Sequence, residues 1–193
     1  RRRPVRIVAG EFRGRALAAP AGRDIRPSSD RLRESLFDIL AHRYADRLSG
    51  TRVLDLFAGT GALGIEALSR GAAFCLFIEE GVEGRALIRG NVEALGLTGR
   101  TKLFRRDATR LGAAGTIAPF HLVFADPPYG QGLGEKALAS ALAGGWLTGS
   151  TLAVLEERAG AVTAVAGFDI LDRRSLGDSE LIFLQPSGAS PAA

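Results

Sequence analysis

Short apolar runs alternate with amphipathic segments from residue 52 onward. Runs of strand length predict β-strands at residues 52–57, 74–79, 101–105, 121–126 and 151–156. Apolar residues at helical spacing between these runs predict helices at residues 62–70, 82–95 and 134–144. Such alternation is typical of βαβ units, in which a parallel sheet carries helices on both faces.

The C-terminal part departs from this alternation. Two further apolar runs, at residues 168–173 and 180–184, are joined by a turn-like segment at residues 175–179. That spacing favours an antiparallel hairpin over another helical crossover. We therefore expect an α/β fold with a doubly wound, mainly parallel seven-stranded sheet and an antiparallel edge strand.

The N-terminal part predicts a small separate unit. Residues 5–19 favour a short hairpin around Gly10 to Gly14, and residues 28–48 favour a helix that Gly50 ends. The expected organisation is therefore an extension at residues 1–50 that faces the partner, a main domain at 51–186 and a frayed tail at 187–193.

Composition narrows the class of protein. Hydrophobic residues make up 46% of the chain, enough for a buried core, yet no apolar run approaches the ~20 residues of a membrane span. The basic start is not followed by the apolar segment of a secretory signal, and the single cysteine, Cys75, cannot form an internal disulfide. We expect a monomer in the reducing cytoplasm.

Positive charge is concentrated at the N-terminal end. Residues 1–50 carry 12 arginines and 6 acids, a balance of +6, whereas residues 51–193 carry 13 basic and 15 acidic residues, a balance of −2. This asymmetry indicates a polyanionic partner such as a nucleic acid. A solvated basic surface is the alternative.

A glycine-rich loop follows the first strand of the main domain. Gly59, Gly61 and Gly64 have the spacing G-x-G-x-x-G, which fits dinucleotide dehydrogenases as well as S-adenosylmethionine enzymes. Asp55 distinguishes these two classes of enzyme, because a carboxylate here repels a pyrophosphate but suits the ammonium group of S-adenosylmethionine. Bracing of the loop is the alternative role for Asp55. The cofactor residues expected in this segment are Asp55, Phe57, Ala58, Gly59 and Gly61.

Acidic residues also follow the next two strands. Glu79 can accept hydrogen bonds from ribose hydroxyls, although its neighbour Glu80 competes for that role. Asp107, with Ala108 beside it, can accept from an adenine amino group, or it can cap a helix. Three acids at successive strand ends after a glycine loop favour S-adenosylmethionine as the cofactor.

The segment Asp126-Pro127-Pro128-Tyr129 is the most specific feature of the chain. Two prolines end a buried strand and stiffen the loop beside the ligand-binding edge of the sheet. Asp126 and the carbonyl of Pro127 can each accept one N–H of an exocyclic base amine, which aims its lone pair at the methyl group, while Tyr129 stacks on the flipped base. This chemistry requires no metal. A structural turn with a buried tyrosine is the alternative.

These motifs, together with segments 6–10, 13–15 and 26–34, resemble the bacterial small-subunit (16S) ribosomal RNA guanine-N2 methyltransferase family. The resemblance covers about residues 5 to 185. It implies one Rossmann-like domain with a small N-terminal extension and an RNA substrate within an assembling ribosomal particle. It also implies cofactor contacts and catalytic roles for two sets of residues: Asp55, Gly59, Gly61, Glu79, Asp107 and Ala108, and Asp126, Pro127, Pro128 and Tyr129. Members often carry a second acid where this chain has Gly81, which bears on the ribose contacts.

The basic N-terminal segment gains a role from this resemblance. We expect RNA phosphates beside the active-site mouth to be held by five arginines: Arg13, Arg15, Arg26, Arg31 and Arg33. Because Arg31 and Arg33 point in different directions on a helix, at least one of them can instead pair with Asp30 or Glu34.

Other classes of protein share single features of this sequence. If the chain were a nicotinamide-dependent oxidoreductase, residues 126–129 would have no role. If it were a non-catalytic RNA-binding assembly factor, it would not need Asp126. Protein glutamine methyltransferases carry Asn at that position. DNA adenine-N6 methyltransferases share the motif but carry a large target-recognition insertion, for which this chain has no room.

Overall fold

A seven-stranded sheet forms the centre of the computed structural model, which describes residues 5–20 and 30–188. A separate two-stranded antiparallel sheet is formed by β1 (Val5–Arg6) and β2 (Ala16–Leu17). The central strands are β3 (Arg52–Leu56), β4 (Phe74–Ile78), β5 (Thr101–Phe104), β6 (Phe120–Ala125), β7 (Leu147–Arg158), β8 (Phe168–Leu176) and β9 (Ser179–Pro186).

The strand order is β5-β4-β3-β6-β7-β9-β8. β3 to β7 pair in parallel, and β9 pairs antiparallel with both β7 and β8. The predicted mainly parallel, Rossmann-like sheet is therefore confirmed, with the antiparallel strand one place in from the edge.

Helices cover both faces of the sheet: α1 (Asp30–Arg43), α2 (Ala62–Ser69), α3 (Val82–Ala94) and α4 (Leu133–Ala143). Alternate residues of each strand point to opposite faces. Val53 packs in the cluster beneath α1, α2 and α3, whereas Leu54 packs in the cluster with α4 and Trp146. In the part of the chain that the structure describes, no helix is long and apolar enough to cross a membrane.

The first helix is shorter than the expected span of residues 28–48. It ends at Arg43, and a 3-10 turn follows at Ala45–Arg47. Tyr44 leaves the helical conformation with a φ of −136°, and its ring stacks on Phe183 with the centroids 5.4 Å apart. Tertiary packing of this ring against β9 therefore overrides the local helical preference.

The N-terminal hairpin docks on α2 through a buried carboxylate. Glu66 is fully buried and accepts hydrogen bonds from the amides of Val8 (3.0 Å) and Ala9 (3.1 Å) and from Arg70 (2.9 Å). Gly10 lies so close to α2 that an added Cβ would stand 1.9 Å from the carbonyl oxygen of Ser69. Specific polar contacts thus fix the hairpin on the main domain.

Arg33 corrects one expectation about RNA contacts. Its side chain has 0% exposure and donates to the carbonyl of Arg6 (2.7 Å) and to Asp30 (2.6 Å). A buried guanidinium with these partners joins α1 to β1 and cannot reach an RNA phosphate. Arg33 instead pairs with Asp30, which is the alternative to RNA contact that the sequence left open.

A polar link connects the hairpin to the glycine loop. Asn91 on α3 accepts a hydrogen bond from the amide of Ala18 (2.7 Å) and donates to the carbonyl of Thr60 (3.1 Å). The segment after β2 is therefore held beside the loop that follows β3.

Glu66→Gln should destabilise the protein by about 2 kcal/mol, because it removes the charged partner of Arg70 and sets an amide N–H against a backbone N–H. For a chain of this size, the melting temperature should fall by about 4–8 °C. Exposed Glu34→Gln is the matched control and should leave it unchanged. Equal melting temperatures for Glu66→Gln and wild type would show that the docking contacts contribute no stability.

Candidate functional site

A cleft of about 1060 Å³ opens at the carboxyl ends of the parallel strands. Its volume is at the upper end of the range for small-molecule sites, which leaves room for a cofactor and a second ligand. Apart from Gly61, every residue expected to bind cofactor or to act in catalysis lines it: Asp55, Phe57, Ala58, Gly59, Glu79, Asp107, Ala108, Asp126, Pro127, Pro128 and Tyr129.

The glycine loop turns sharply between β3 and α2. Phe57 has a φ of 55°, a left-handed conformation that is uncommon for a residue with a side chain. Gly59 and Gly61 follow with φ of 57° and 79°, and the amide of Gly61 donates to the carbonyl of Ala58 (2.7 Å). Gly61 thus shapes the turn without lining the cleft.

Glu79 joins two loops with one carboxylate. One oxygen accepts from the amide of Gly59 and the other from the amide of Gly81, both at 2.7 Å. Gly84 in the first turn of α3 makes this possible, because a Cβ there would stand 2.9 Å from the Glu79 carboxyl carbon. Glu79 is half-buried and lines the cleft, so it remains open to a ligand hydroxyl.

Asp55 braces the start of α2 from inside the protein. It is 1% exposed and accepts a hydrogen bond from the amide of Gly64 (3.0 Å). Burial raises the pKa of this carboxyl well above its usual range, the Gly64 hydrogen bond opposes that rise and the charge of Glu79 adds to it. The bracing role is therefore observed, and a cation in the cleft would favour the charged form.

The hydrogen bonds made by Asp55 and Glu79 bear on the charge of the ligand that the glycine loop can bind. In a dinucleotide fold, the free amides at this helix start bind pyrophosphate. Here protein carboxylates occupy the amides of Gly59 and Gly64. These two amides are therefore not available to a phosphate, and the side chains that occupy them are acidic. This arrangement disfavours the nicotinamide alternative and is compatible with a ligand that carries an ammonium group.

Asp107 caps the short 3-10 turn Ala108–Arg110. It accepts from the hydroxyl (2.7 Å) and the amide (2.9 Å) of Thr109, and these hydrogen bonds lower the pKa of Asp107. Asp107 still lines the cleft beside buried Ala108. The cap is thus present, and it orients the carboxylate at the cleft wall.

The Asp-Pro-Pro-Tyr segment leaves β6 at the middle of the sheet. Asp126 directly follows the strand and lines the cleft, and Pro127 is buried behind it. The hydroxyl of Tyr129 donates to Glu156, and the amide of Gly130 donates to Glu157 (3.1 Å). Two acids at the end of β7 therefore hold the loop.

Sequence reasoning missed one wall of this cleft. Leu32 from the start of α1, Glu156 from β7 and the β8–β9 turn around Leu176 also line it. Glu156 ends the strand expected at residues 151–156, so the signal that identified Glu79 and Asp107 applied to it as well. The contribution of the β8–β9 turn depends on strand order, which no local pattern shows.

The arginines expected to bind RNA do not lie together. Arg31 is exposed and lines the cleft, so it stands at the mouth. Arg15 donates to the carbonyl of Ala94 (3.2 Å), the last residue of α3, and Glu11 beside Arg13 bonds to Ser69, the last residue of α2. Both helices end at the edge opposite the cleft, which corrects the placement of Arg13 and Arg15 beside the mouth. Arg26 lies outside the described residues.

Comparison with known proteins adds to this geometry. The family described as "Conserved hypothetical protein 95" matches residues 5–185. The chain belongs to this family. A relative in Escherichia coli strain K12, named ribosomal RNA small subunit methyltransferase D, is 39% identical over 154 residues, which are 79% of this chain and 74% of the relative. The expected membership in a ribosomal RNA methyltransferase family of the class I fold is thereby confirmed.

Solved structures of similar proteins have the same architecture. A protein described as methyltransferase YhhF of Escherichia coli has a TM-score of 0.79 and 32% identity, covering 96% of this chain and 99% of its own. A protein of Thermus thermophilus, described as hypothetical protein TTHA0928, has a TM-score of 0.71 and 33% identity, covering 94% and 99%. The architecture shared with these structures therefore extends over nearly the whole chain.

Asp55→Asn should stabilise the protein in the absence of ligand. Because the folded pKa of Asp55 is raised, wild type carries a penalty that grows as the pH rises above the unfolded value of about 4. Asn keeps an oxygen for the Gly64 amide and removes the buried charge. Melting temperatures measured from pH 4 to pH 8 should diverge in favour of the variant as the pH rises. If Asp55→Asn were less stable than wild type at pH 7, the buried carboxyl of Asp55 would not be destabilising.

Proposed function

We propose that this protein methylates the exocyclic N2 amine of one guanine in 16S ribosomal RNA, with S-adenosylmethionine as methyl donor. The observation that carries the proposal is the position of Asp126, which follows β6 at the centre of a cleft whose cofactor side is lined by carboxylates. In this proposal the enzyme acts as a monomer in the cytoplasm, on an assembling small ribosomal subunit.

The cofactor side lies over β3, β4 and β5. Asp55 would face the ammonium group, Glu79 the ribose hydroxyls and Asp107 the adenine amino group. When bound, S-adenosylmethionine supplies a methyl group on a positively charged sulfur, which an uncharged amine can accept without a metal. The carboxylates that already hold the glycine loop complement this cation.

The substrate side begins at Asp126. Its carboxylate and the carbonyl of Pro127 accept the two N–H groups of the amine, so the nitrogen lone pair is aimed toward the cofactor side. Tyr129 provides a ring on which the extruded base stacks. The proton that the amine releases on methylation leaves to water.

The choice of ribosomal RNA is supported by the relatives and by charge. The 39%-identical relative is named for the small-subunit ribosomal RNA, and residues 1–50 carry the excess of arginine. Arg31 at the mouth is the described arginine best placed for a phosphate beside the flipped nucleotide.

Methyl transfer onto small ribosomal particles tests the proposal. Labelled S-adenosylmethionine should modify the 16S RNA at one position, and nuclease digestion followed by mass spectrometry should identify N2-methylguanine. Recovery of N6-methyladenine would contradict the assignment to guanine, and absence of transfer to particles or naked RNA would contradict the proposed substrate.

Asp126→Ala should lower the rate of transfer by about a hundredfold or more, because the amine loses the acceptor that aligns it. Asp126→Asn keeps one acceptor oxygen and should retain part of the activity. The affinity for S-adenosylhomocysteine, measured by calorimetry, should stay within about twofold of wild type in both variants. Turnover at the wild-type rate in Asp126→Ala would refute the role of this residue.

A further inference from the structure

The cleft continues past Asp126 on the side away from the cofactor residues. In the strand order, β7 and β9 lie beyond β6, and the cleft there is lined by Leu32, Glu156, Leu176 and Ser179. Since the cofactor side occupies β3 to β5, the base must lie against this second wall. The wall carries one acidic side chain, Glu156, among the described residues that line it.

Glu156 is placed where a stacked base presents its edge. It is 6% exposed, lines the cleft and accepts a hydrogen bond from the hydroxyl of Tyr129 through Oε1. Among the described residues, its Oε2 accepts no hydrogen bond. The carboxylate therefore stands at the hydroxyl edge of the ring on which the base stacks, with one oxygen available to a ligand.

Base edges differ in what they offer such an oxygen. A carboxylate only accepts hydrogen bonds. Guanine presents the N1–H donor next to its N2 amine, whereas N1 of adenine and N3 of cytosine are acceptors that a carboxylate repels. With the N2 hydrogens assigned to Asp126 and Pro127, the N1–H remains as the donor adjacent to the methylated nitrogen.

We infer that Glu156 selects guanine by accepting its N1–H through Oε2. This inference rests on the proposed function and adds the residue that reads the base. The same carboxylate orients Tyr129, so the stacking ring and the edge-reading oxygen are fixed by one side chain. A mere positioning role toward Tyr129 would slow transfer to every base equally, which makes the two roles separable.

A base analogue tests the inference directly. Particles are reconstituted with 16S RNA that carries either guanine or 2-aminopurine at the mapped position; 2-aminopurine keeps the N2 amine but has an acceptor at N1. Wild type should methylate the 2-aminopurine substrate with a kcat/KM roughly ten- to a hundredfold lower. A wild-type ratio near one would overturn the inference, while absence of transfer to guanine would instead refute the proposed function.

Two variants test whether Glu156 causes the difference in kcat/KM between the guanine and 2-aminopurine substrates. Glu156→Ala should lower the preference for guanine to the part that O6 alone contributes, and Glu156→Gln, which offers an N–H to the acceptor N1, should lower it further. The missing O6 of 2-aminopurine affects all variants alike and cancels in the comparison. Tyr129→Phe is the matched control: it should slow both substrates equally and keep the wild-type ratio. An unchanged ratio in both Glu156 variants would overturn the inference.

Discussion

Two hydrogen bonds from backbone amides to protein carboxylates govern the candidate site. Asp55 accepts from Gly64 at the start of α2, and Glu79 accepts from Gly59 in the turn before it. They fix the glycine loop and at the same time occupy the amides that would otherwise attract an anion. In the proposed function this arrangement serves a cationic ligand, whose charge would offset the effect of burial on the carboxyl of Asp55.

The strand order determines which residues line each part of the cleft. β6 lies at the centre of the sheet. In the proposed function, Asp126, which follows it, separates a cofactor side over β3 to β5 from a substrate side over β7 and β9. The antiparallel β9 matters for this division, because it turns the β8–β9 connection toward the cleft. Arg31 and Leu32, in the first turn of α1, also line the cleft.

Residues at strand ends were predictable from sequence, because a parallel sheet brings the carboxyl ends of its strands to one edge. The positions of Asp126 and Glu79 at the cleft were predictable in this way. Arg33 was wrongly expected to contact RNA, although its spacing indicates the buried face of α1. It lies four residues before Phe37 and seven before Leu40, both fully buried. The position of Arg15 was not predictable, because it follows from the docking of a hairpin through contacts distant in sequence.

In the proposed function, the glycine loop held by Asp55 and Glu79 binds a cationic cofactor and rejects a pyrophosphate. Calorimetric titration of the purified protein with S-adenosylmethionine, and in parallel with NADH, tests this selectivity. We expect saturable binding of one S-adenosylmethionine per chain and no heat of binding with NADH. Comparable binding of NADH, or no binding of S-adenosylmethionine, would contradict it.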